Sequence, residues 1–273
     1  MLEENQPNFI SISNSKVALH PAPKGIIQFI GSFIFGSFPT CAYKFLLQYL
    51  YSQGYSLILY RFPLNPLQFN HWQVSFELIE EQFRLKNELL KTLKKEIQDI
   101  YSNPSNYLWL GHSLGCKYVI LLEILSNNSA RRKQVLQECL SDDKLEKIIK
   151  EASAISQHFI LNQPSVFLAP EISNTVRILR SSWRISNPLT NPTQNQTECL
   201  IQASQDLFNL LGIISFNWDN IAEDDVAFLR EQLKNKPDLY KELKGDHFQP
   251  LTIHIEDLGK NIIQFYEHLK SRL

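Results

Sequence analysis

YLWLGHSLGCKYVILLEILS, residues 107–126, places an apolar strand directly before a G-x-S-x-G turn and a helical segment directly after it. This order is the nucleophile-elbow pattern, with Ser113 at the apex of the turn. The small residues Gly111 and Gly115 suit so sharp a turn, because a Cβ at either position would clash with neighbouring backbone. The pattern predicts that the Ser113 hydroxyl points outward at the carboxyl end of a strand, beside free N–H groups at a helix start.

Length and composition favour one compact domain over residues 1–273, since 44% of the residues are hydrophobic and can form a large core. The formal net charge is −1, and no basic stripe indicates nucleic-acid binding. No apolar run approaches the roughly 18 residues that a transmembrane helix needs, and the amino terminus lacks a signal-peptide pattern. We therefore expect a cytoplasmic protein. Peripheral membrane contact and the oligomeric state stay open.

The four cysteines show neither C-x-x-C spacing nor a dense framework. In an intracellular chain this predicts reduced thiols in helices and loops. We expect no metal and no cofactor. The cysteines are Cys41, Cys116, Cys139 and Cys199.

Strand-like and helix-like segments alternate along the chain, without an internal repeat. Such alternation is typical of an α/β fold with a mostly parallel central sheet and helices on both faces. Besides the elbow strand, the predicted strands are residues 24–30, 55–60, 165–169, 210–216 and 239–243. Besides the elbow helix, the predicted helices are residues 40–53, 76–101, 130–155, 224–234 and 257–269.

Residues 181–197 (SSWRISNPLTNPTQNQT) have a different character, being rich in Asn, Thr, Pro and Gln with little periodicity. This composition predicts a loop. An insertion at this point of an alternating α/β topology commonly lies over the functional site, so we expect a small cap insertion around residues 171–205. A plain surface connection is the alternative.

A serine nucleophile needs a base, and histidine suits that role near neutral pH. His247 follows the last predicted strand in KGDHFQP, residues 244–250, which places its ring on a loop at the carboxyl edge of the sheet. His247 is therefore the predicted base. We interpret His254, which lies between apolar residues, as a buried structural histidine, and His112, inside the elbow, as a packing residue.

The base in turn needs a carboxylate that orients it. Asp219 comes directly after the predicted strand at residues 210–216, and one helix and the last strand separate it from His247. Two neighbouring parallel strands would bring these residues together. Asp224 and Asp225 remain alternatives, although both also fit the acidic first turn of a helix.

An oxyanion hole requires two backbone donors. The elbow pattern supplies the N–H of Leu114, and the loop after the first predicted strand supplies that of Ser32 or Phe33, a choice that stays open. Aromatic residues near these loops are candidates for an apolar acyl pocket. The predicted pocket residues are Phe33, Phe35 and Trp218, and the wider set also includes Phe38, Phe62 and Trp72.

The GHSLG turn, the late Asp and the terminal His resemble the α/β-hydrolase superfamily. PKGIIQFIGSFIFGSFPTCAYKFLLQYLYSQGYSLI, residues 23–58, is similar to the opening of the domain of unknown function 1350 family, known from cyanobacteria and plant plastids. That family also has a late G-x-H-x-x-P segment, matched here by Gly245, His247 and Pro250. Ser32 stands where the family more often has glycine. The resemblance implies an α/β-hydrolase fold and a photosynthetic source, and it names no substrate.

Two hypotheses follow. The first is a serine hydrolase that cleaves a carboxylic ester or thioester with an apolar acyl group, in which Ser113 attacks, His247 carries the proton and Asp219 orients His247. Its substrate would be a small molecule or a lipid. The alternative is a non-catalytic, hydrolase-like binding protein for a lipid or pigment. A haloperoxidase-like or lyase use of the same residues also stays open.

Overall fold

A computed structural model of the chain describes residues 6–61, 70–153, 160, 163–173, 175–176, 185–186, 190–232 and 237–273. Its strands are β1 (Ile10–Ile12), β2 (Ser15–Ala18), β3 (Gly25–Ile30), β4 (Tyr55–Tyr60), β5 (Tyr107–His112), β6 (Ser165–Leu168), β7 (Thr175–Val176), β8 (Ile185–Ser186), β9 (Leu211–Phe216) and β10 (Tyr240–Leu243). Its α-helices are α1 (Pro39–Ala42), α2 (Lys44–Ser52), α3 (His71–Thr92), α4 (Lys95–Ser102), α5 (Leu114–Ser126), α6 (Ser129–Cys139), α7 (Asp142–Ser153), α8 (Gln194–Ala203), α9 (Glu223–Gln232) and α10 (Glu256–Lys270).

Among the described strands, eight form one sheet in the order β1-β2-β4-β3-β5-β6-β9-β10. Every neighbouring pair from β4 to β10 is parallel. β2 pairs with β4 and β1 pairs with β2 in antiparallel orientation. The mostly parallel sheet predicted from the sequence is thus confirmed. The two edge strands were not predicted, because segments of three and four residues are too short to carry a clear alternating pattern.

The central strands β3, β4 and β5 are buried along their whole length. Burial on both faces is expected for parallel strands covered by helices, and it explains their continuous apolar runs. The register pairs Phe216 at the end of β9 with Leu243 at the end of β10. The loops after these two strands therefore begin at the same edge of the sheet, where β5 also ends.

The two long helices predicted at residues 76–101 and 130–155 are each broken in two. The breaks lie at Leu93 and Leu140, which both have extended backbone conformations. Both leucines are buried, with 7% and 8% of their surface exposed. Packing of a leucine into the core therefore outweighs helix continuation, an effect that periodicity cannot reveal. Within the described ranges, no helix combines the length and apolar character needed to cross a membrane.

The end of the predicted polar loop at residues 181–197 is helical instead, because α8 begins at Gln194. Thr193 and Gln196 form a capping box at this start, so the polar composition here marks a helix terminus. The expected cap insertion at residues 171–205 lies partly outside the described residues. Its described parts include α8 and the short antiparallel pair of β7 and β8.

Cys139 and Cys199 form a disulfide between α6 and α8. The expectation of four reduced thiols is therefore wrong for this pair, whereas Cys41 and Cys116 are free. The two bonded cysteines are 60 residues apart in the sequence, and their Cα atoms are 5.6 Å apart. Spacing rules detect local cysteine motifs, whereas this pairing depends on the packing of two distant helices.

Candidate active site

Ser113 joins β5 to α5 in a backbone conformation with φ 56° and ψ −123°. A residue with a side chain rarely adopts such angles, so neighbouring groups must hold the turn. The Ser113 N–H donates to the carbonyl of Leu168 over 3.0 Å, and its carbonyl accepts from the N–H groups of Cys116 and Glu171. These bonds tie the elbow to β6 and to the segment that follows β6.

The two elbow glycines are required by close backbone contacts. A Cβ on Gly115 would lie 2.1 Å from the carbonyl oxygen of Ile30, and one on Gly111 would lie 2.9 Å from the Cα of Cys116. The steric reason inferred from the sequence therefore holds. The Ser113 side chain differs from the expectation in one respect. Only 2% of the residue is exposed, so its hydroxyl lies below the surface.

The structure brings the three predicted catalytic side chains into one hydrogen-bonded series. His247 Nε2 lies 2.9 Å from Ser113 Oγ, and His247 Nδ1 lies 3.0 Å from Asp219 Oδ2. A carboxylate can only accept, so Nδ1 carries the hydrogen, and the lone pair of Nε2 faces Ser113. This arrangement is the one that general-base activation of a serine requires.

Asp219 is surrounded by hydrogen-bond donors. Its Oδ1 accepts from the N–H groups of Ile221 and Ala222, over 2.9 and 3.0 Å. Burial alone would raise the pKa of Asp219, but the hydrogen bond from His247 and these two N–H groups lower it below its ordinary value. The carboxylate is therefore ionised opposite the ring on which a positive charge would form.

The two alternative acids lie elsewhere. Asp224 is exposed in the first turn of α9. Asp225 is buried, but its Oδ2 accepts from the N–H groups of Ile172 and Ser173, over 2.7 and 3.0 Å. Asp219, and neither of these two residues, is therefore hydrogen-bonded to His247.

His112 has more than the packing role that the sequence suggested. It is fully buried, and burial lowers its pKa to about 3, so the ring is neutral. His112 Nε2 lies 2.9 Å from the carbonyl of His247, which identifies Nε2 as the donor. Its Nδ1 then accepts from the Tyr43 hydroxyl over 2.8 Å, and that hydroxyl oxygen accepts the N–H of Ser32 over 2.8 Å. This series of hydrogen bonds connects the loop after β3 to the backbone of His247.

The same series of hydrogen bonds decides between Ser32 and Phe33 as the oxyanion donor from the loop after β3. The N–H of Ser32 already donates to Tyr43, which leaves the N–H of Phe33 as the candidate from this loop. Leu114 is the first residue of α5, so its N–H has no acceptor within the helix. Phe33 and Leu114 are therefore the candidate oxyanion donors.

An aromatic cluster lies beside His247. The Phe248 ring is 5.5 Å from the His247 ring and 6.3 Å from the Phe35 ring, and Phe35 is 6.0 Å from Phe38. Phe248 and Phe38 are each 45% exposed. The cluster thus presents an apolar surface next to the base. Sequence reasoning missed Phe248, although it directly follows the predicted base.

The other predicted pocket residues lie in different surroundings. Phe33 is half-buried and packs against the core. Trp218 is 66% exposed, so it stands on the surface beside Asp219 and does not line an enclosed pocket. Trp72 is a core residue, which corrects the wider set. Phe62 lies outside the described residues.

A carboxyl group that sequence reasoning missed contacts the serine. Glu171 Oε2 lies 3.0 Å from Ser113 Oγ. Burial raises the pKa of Glu171 to about 6, although His247 and the Ser113 hydrogen bond act in the opposite direction. The sequence could have indicated this contact, because Glu171 follows β6 just as Asp219 follows β9, and both strands end at the same edge of the sheet.

Lys117 lies one helical turn beyond Ser113 on α5 and is fully buried. Its Nζ donates to the carbonyl of Pro192 over 3.2 Å. Burial lowers the pKa of Lys117 to about 7, while Asp225 and Glu171 act to raise it. A buried lysine thus lies one helical turn from Ser113, where its charge interacts with those of Asp225 and Glu171.

The remaining late histidines lie away from the site. His254 is exposed, so its interpretation as a buried histidine is wrong. It lies in the turn before α10, where neighbouring Ile253 is also exposed. His268 pairs with Asp238 at the surface. Across the part of the chain that the structure describes, no three His, Cys, Asp or Glu side chains form a group that could hold a metal ion.

Solved structures with the same fold include esterases and a serine hydrolase. A putative carboxylesterase from Lactobacillus plantarum is 15% identical, with a TM-score of 0.59 over 96% of this chain and 98% of that chain. Esterase B from Lactobacillus rhamnosis is 12% identical, with a TM-score of 0.57 over 96% and 84%. FphF, a fluorophosphonate-binding serine hydrolase of Staphylococcus aureus, is 12% identical, with a TM-score of 0.53 over 96% and 99%. At these identities the likeness shows the α/β-hydrolase fold and no substrate.

No curated protein matches the chain by sequence. A family model does match, and it covers residues 8–265, which is nearly the whole chain. Its description is "Protein of unknown function (DUF1350)". The chain therefore has the α/β-hydrolase fold and belongs to the DUF1350 family.

Proposed function

We propose that this protein is a serine hydrolase that cleaves a carboxylic ester or thioester through an acyl-serine intermediate. One observation carries the proposal, namely the hydrogen-bonded series from Ser113 through His247 to Asp219. The strained elbow and the N–H groups of Phe33 and Leu114 add support, because acyl transfer needs an activated nucleophile and donors for an oxyanion.

In the acylation step, Ser113 Oγ bonds to the carbonyl carbon of the substrate while His247 Nε2 takes the hydroxyl proton. The carbonyl oxygen becomes an oxyanion that accepts from the N–H groups of Phe33 and Leu114. The intermediate then collapses. The bond to the leaving alcohol or thiol breaks, and His247 gives that group its proton. Asp219 stabilises the charged imidazole between these two transfers.

Deacylation repeats the sequence with water. His247 Nε2 takes a proton from the water, and the water oxygen bonds to the acyl carbon. Collapse of the second intermediate breaks the bond between the acyl carbon and Ser113 Oγ. The proton on His247 returns to Ser113 Oγ, so the free acid leaves and the enzyme is restored.

An apolar acyl group is the substrate class that the surroundings of His247 favour. Phe35, Phe38 and Phe248 form a connected aromatic surface there. Such a surface contributes favourable free energy when it contacts hydrocarbon and offers little to a charged chain.

The test is covalent labelling with a fluorophosphonate, followed by mass spectrometry of the labelled peptide. The wild-type protein should carry the label on Ser113 and hydrolyse p-nitrophenyl esters. Ser113→Ala should do neither. Ser102→Ala, which changes an exposed serine on α4, is the matched control and should behave as wild type. A folded wild-type protein that resists the label and leaves every ester intact would instead support the non-catalytic binding protein.

A further inference from the structure

The Ser113 hydroxyl has two neighbours that compete for its single hydrogen. Ser113 Oγ lies 2.9 Å from His247 Nε2 and 3.0 Å from Glu171 Oε2. Asp219 keeps the imidazole hydrogen on Nδ1, so Nε2 of the neutral ring can only accept. An ionised Glu171 can also only accept. A single hydroxyl hydrogen can make a full, linear hydrogen bond to only one of two acceptors.

Protonation of Glu171 removes the conflict. The neutral acid donates its O–H to Ser113 Oγ, and the Ser113 hydrogen is then directed to His247 Nε2. Both observed contacts become hydrogen bonds in this state. The ionised acid instead draws the Ser113 hydrogen away from the base.

We propose that Glu171 is a positioning residue that selects the acceptor of the Ser113 proton, its neutral form favouring attack and its carboxylate form hindering it. The carboxylate hinders in a second way, because it places a negative charge close to the developing oxyanion. This inference rests on the proposed function, in which Ser113 is the nucleophile.

The backbone holds Glu171 in place from both sides. Its own N–H donates to the carbonyl of Ser113 over 3.2 Å. Before it, Ala169 has φ 44°, a left-handed conformation that a side-chain-bearing residue adopts only at a cost. After it, the N–H groups of Ile172 and Ser173 donate to Asp225. The contact with Ser113 is therefore set by a pinned and strained segment.

Several charged and titratable groups influence Glu171. Burial raises the pKa of Glu171 to about 6, and Asp225 raises it further, whereas His247, the Ser113 hydroxyl and Lys117 lower it. Within the described residues, the groups that face it are His247 from the loop after β10, Cys116 and Lys117 from α5, and Asp225 from α9. The neutral form therefore dominates below about pH 6 and the carboxylate above it.

The experiment measures the rate of Ser113 labelling by an uncharged fluorophosphonate between about pH 5 and about pH 8. Glu171→Gln supplies an amide N–H donor to Ser113 and stays uncharged at every pH. Wild type and variant share His247, so the change in the ratio of their rates with pH reports on the charge of Glu171, including its effect on the His247 ring. We expect the wild type to fall about tenfold relative to Glu171→Gln as the pH rises, because a charged acceptor binds a hydroxyl about tenfold more strongly than a neutral one. Glu223→Gln, at an exposed position on α9, should follow the wild type.

A ratio that stays constant with pH would overturn the proposal, even with both proteins labelled. If neither protein is labelled at any pH while urea unfolding shows both folded, the proposed function fails and this inference fails with it. Should Glu171→Gln not fold, Glu171→Ala is measured in the same way. Glu171→Ala also has no charge at this position, so the wild-type labelling rate should likewise fall relative to that of Glu171→Ala as the pH rises.

Discussion

The loops after β9 and β6 leave neighbouring strands, and each brings a carboxyl group to the pair of Ser113 and His247. The surroundings of these two carboxyl groups shift their pKa values in opposite directions. Asp219 accepts from an imidazole and two backbone N–H groups, and its pKa is lowered. Glu171 has the Ser113 hydroxyl as its partner, and burial raises its pKa to about 6. Hydrogen bonds from the imidazole and the two backbone N–H groups outweigh the effect of burial on the pKa of Asp219, whereas burial prevails at Glu171.

Backbone N–H groups are distributed unequally between the two loops. In the loop after β9, those of Ile221 and Ala222 turn back to Asp219 itself. In the loop after β6, those of Ile172 and Ser173 go to Asp225 on α9. Asp225 thus takes the donors nearest to Glu171. The charge of Asp225 also raises the pKa of Glu171, although burial is the larger cause.

Among the variants that test this difference between Asp219 and Glu171, Asp219→Asn has the largest expected effect. The amide cannot hold the imidazole hydrogen on Nδ1 as a carboxylate does, so kcat should fall by about 10⁴-fold. Ester hydrolysis in a continuous spectrophotometric assay measures the change. Asp224→Asn, which alters an exposed acid in the first turn of α9, is the control and should retain wild-type kcat. Equal losses in both variants would show that kcat does not depend specifically on the hydrogen bond between Asp219 and His247.

Asp225→Ala tests the distribution of N–H groups. The change leaves the buried N–H groups of Ile172 and Ser173 without their acceptor, so the free energy of unfolding should drop by about 3 kcal/mol. Urea unfolding gives the value. Glu146→Ala, which changes an exposed acid in the interior of α7, should change it by less than about 0.5 kcal/mol. A small loss for Asp225→Ala would mean that this carboxylate does not anchor the loop after β6.

The smallest expected effect concerns strain in the loop after β6. Ala169→Gly relieves a residue with φ 44°, but it also removes a fully buried methyl group and gives the unfolded chain more freedom. Because these effects largely cancel, we expect the free energy of unfolding in urea to change by less than about 0.5 kcal/mol. Ala227→Gly, in the interior of α9, should instead destabilise by about 1 kcal/mol. Equal destabilisation by both variants would argue against strain at Ala169.

Much of the fold could be predicted because its signals are local. The central strands carry continuous apolar runs, and their predicted bounds agree closely with β3, β4 and β9. The helix breaks at Leu93 and Leu140 were missed, since they depend on burial of each leucine in a core formed by distant segments. The disulfide between Cys139 and Cys199 was missed for the same reason.

The residues of the candidate site also include some that the sequence could predict and one that it could not. The positions of Ser113, Asp219 and His247 relative to strand ends could be read from the chain, because parallel strands end at one edge. The contact of Glu171 with Ser113 could not be assigned, although its position after β6 was visible. Only the folded structure shows that the Ser113 hydroxyl reaches Glu171 and that the nearby backbone N–H groups go to Asp225.

By itself, the sequence determined where a nucleophile could stand, since the glycines at 111 and 115 and the flanking apolar runs permit the sharp turn at Ser113. Tertiary structure alone decided which carboxyl group is ionised and which can hold a proton. The physical reason is that a pKa depends on burial and on donors, and the partners of Glu171 and Asp225 come from distant segments: Ser113 is 58 residues from Glu171 in the chain, and Ile172 is 53 residues from Asp225.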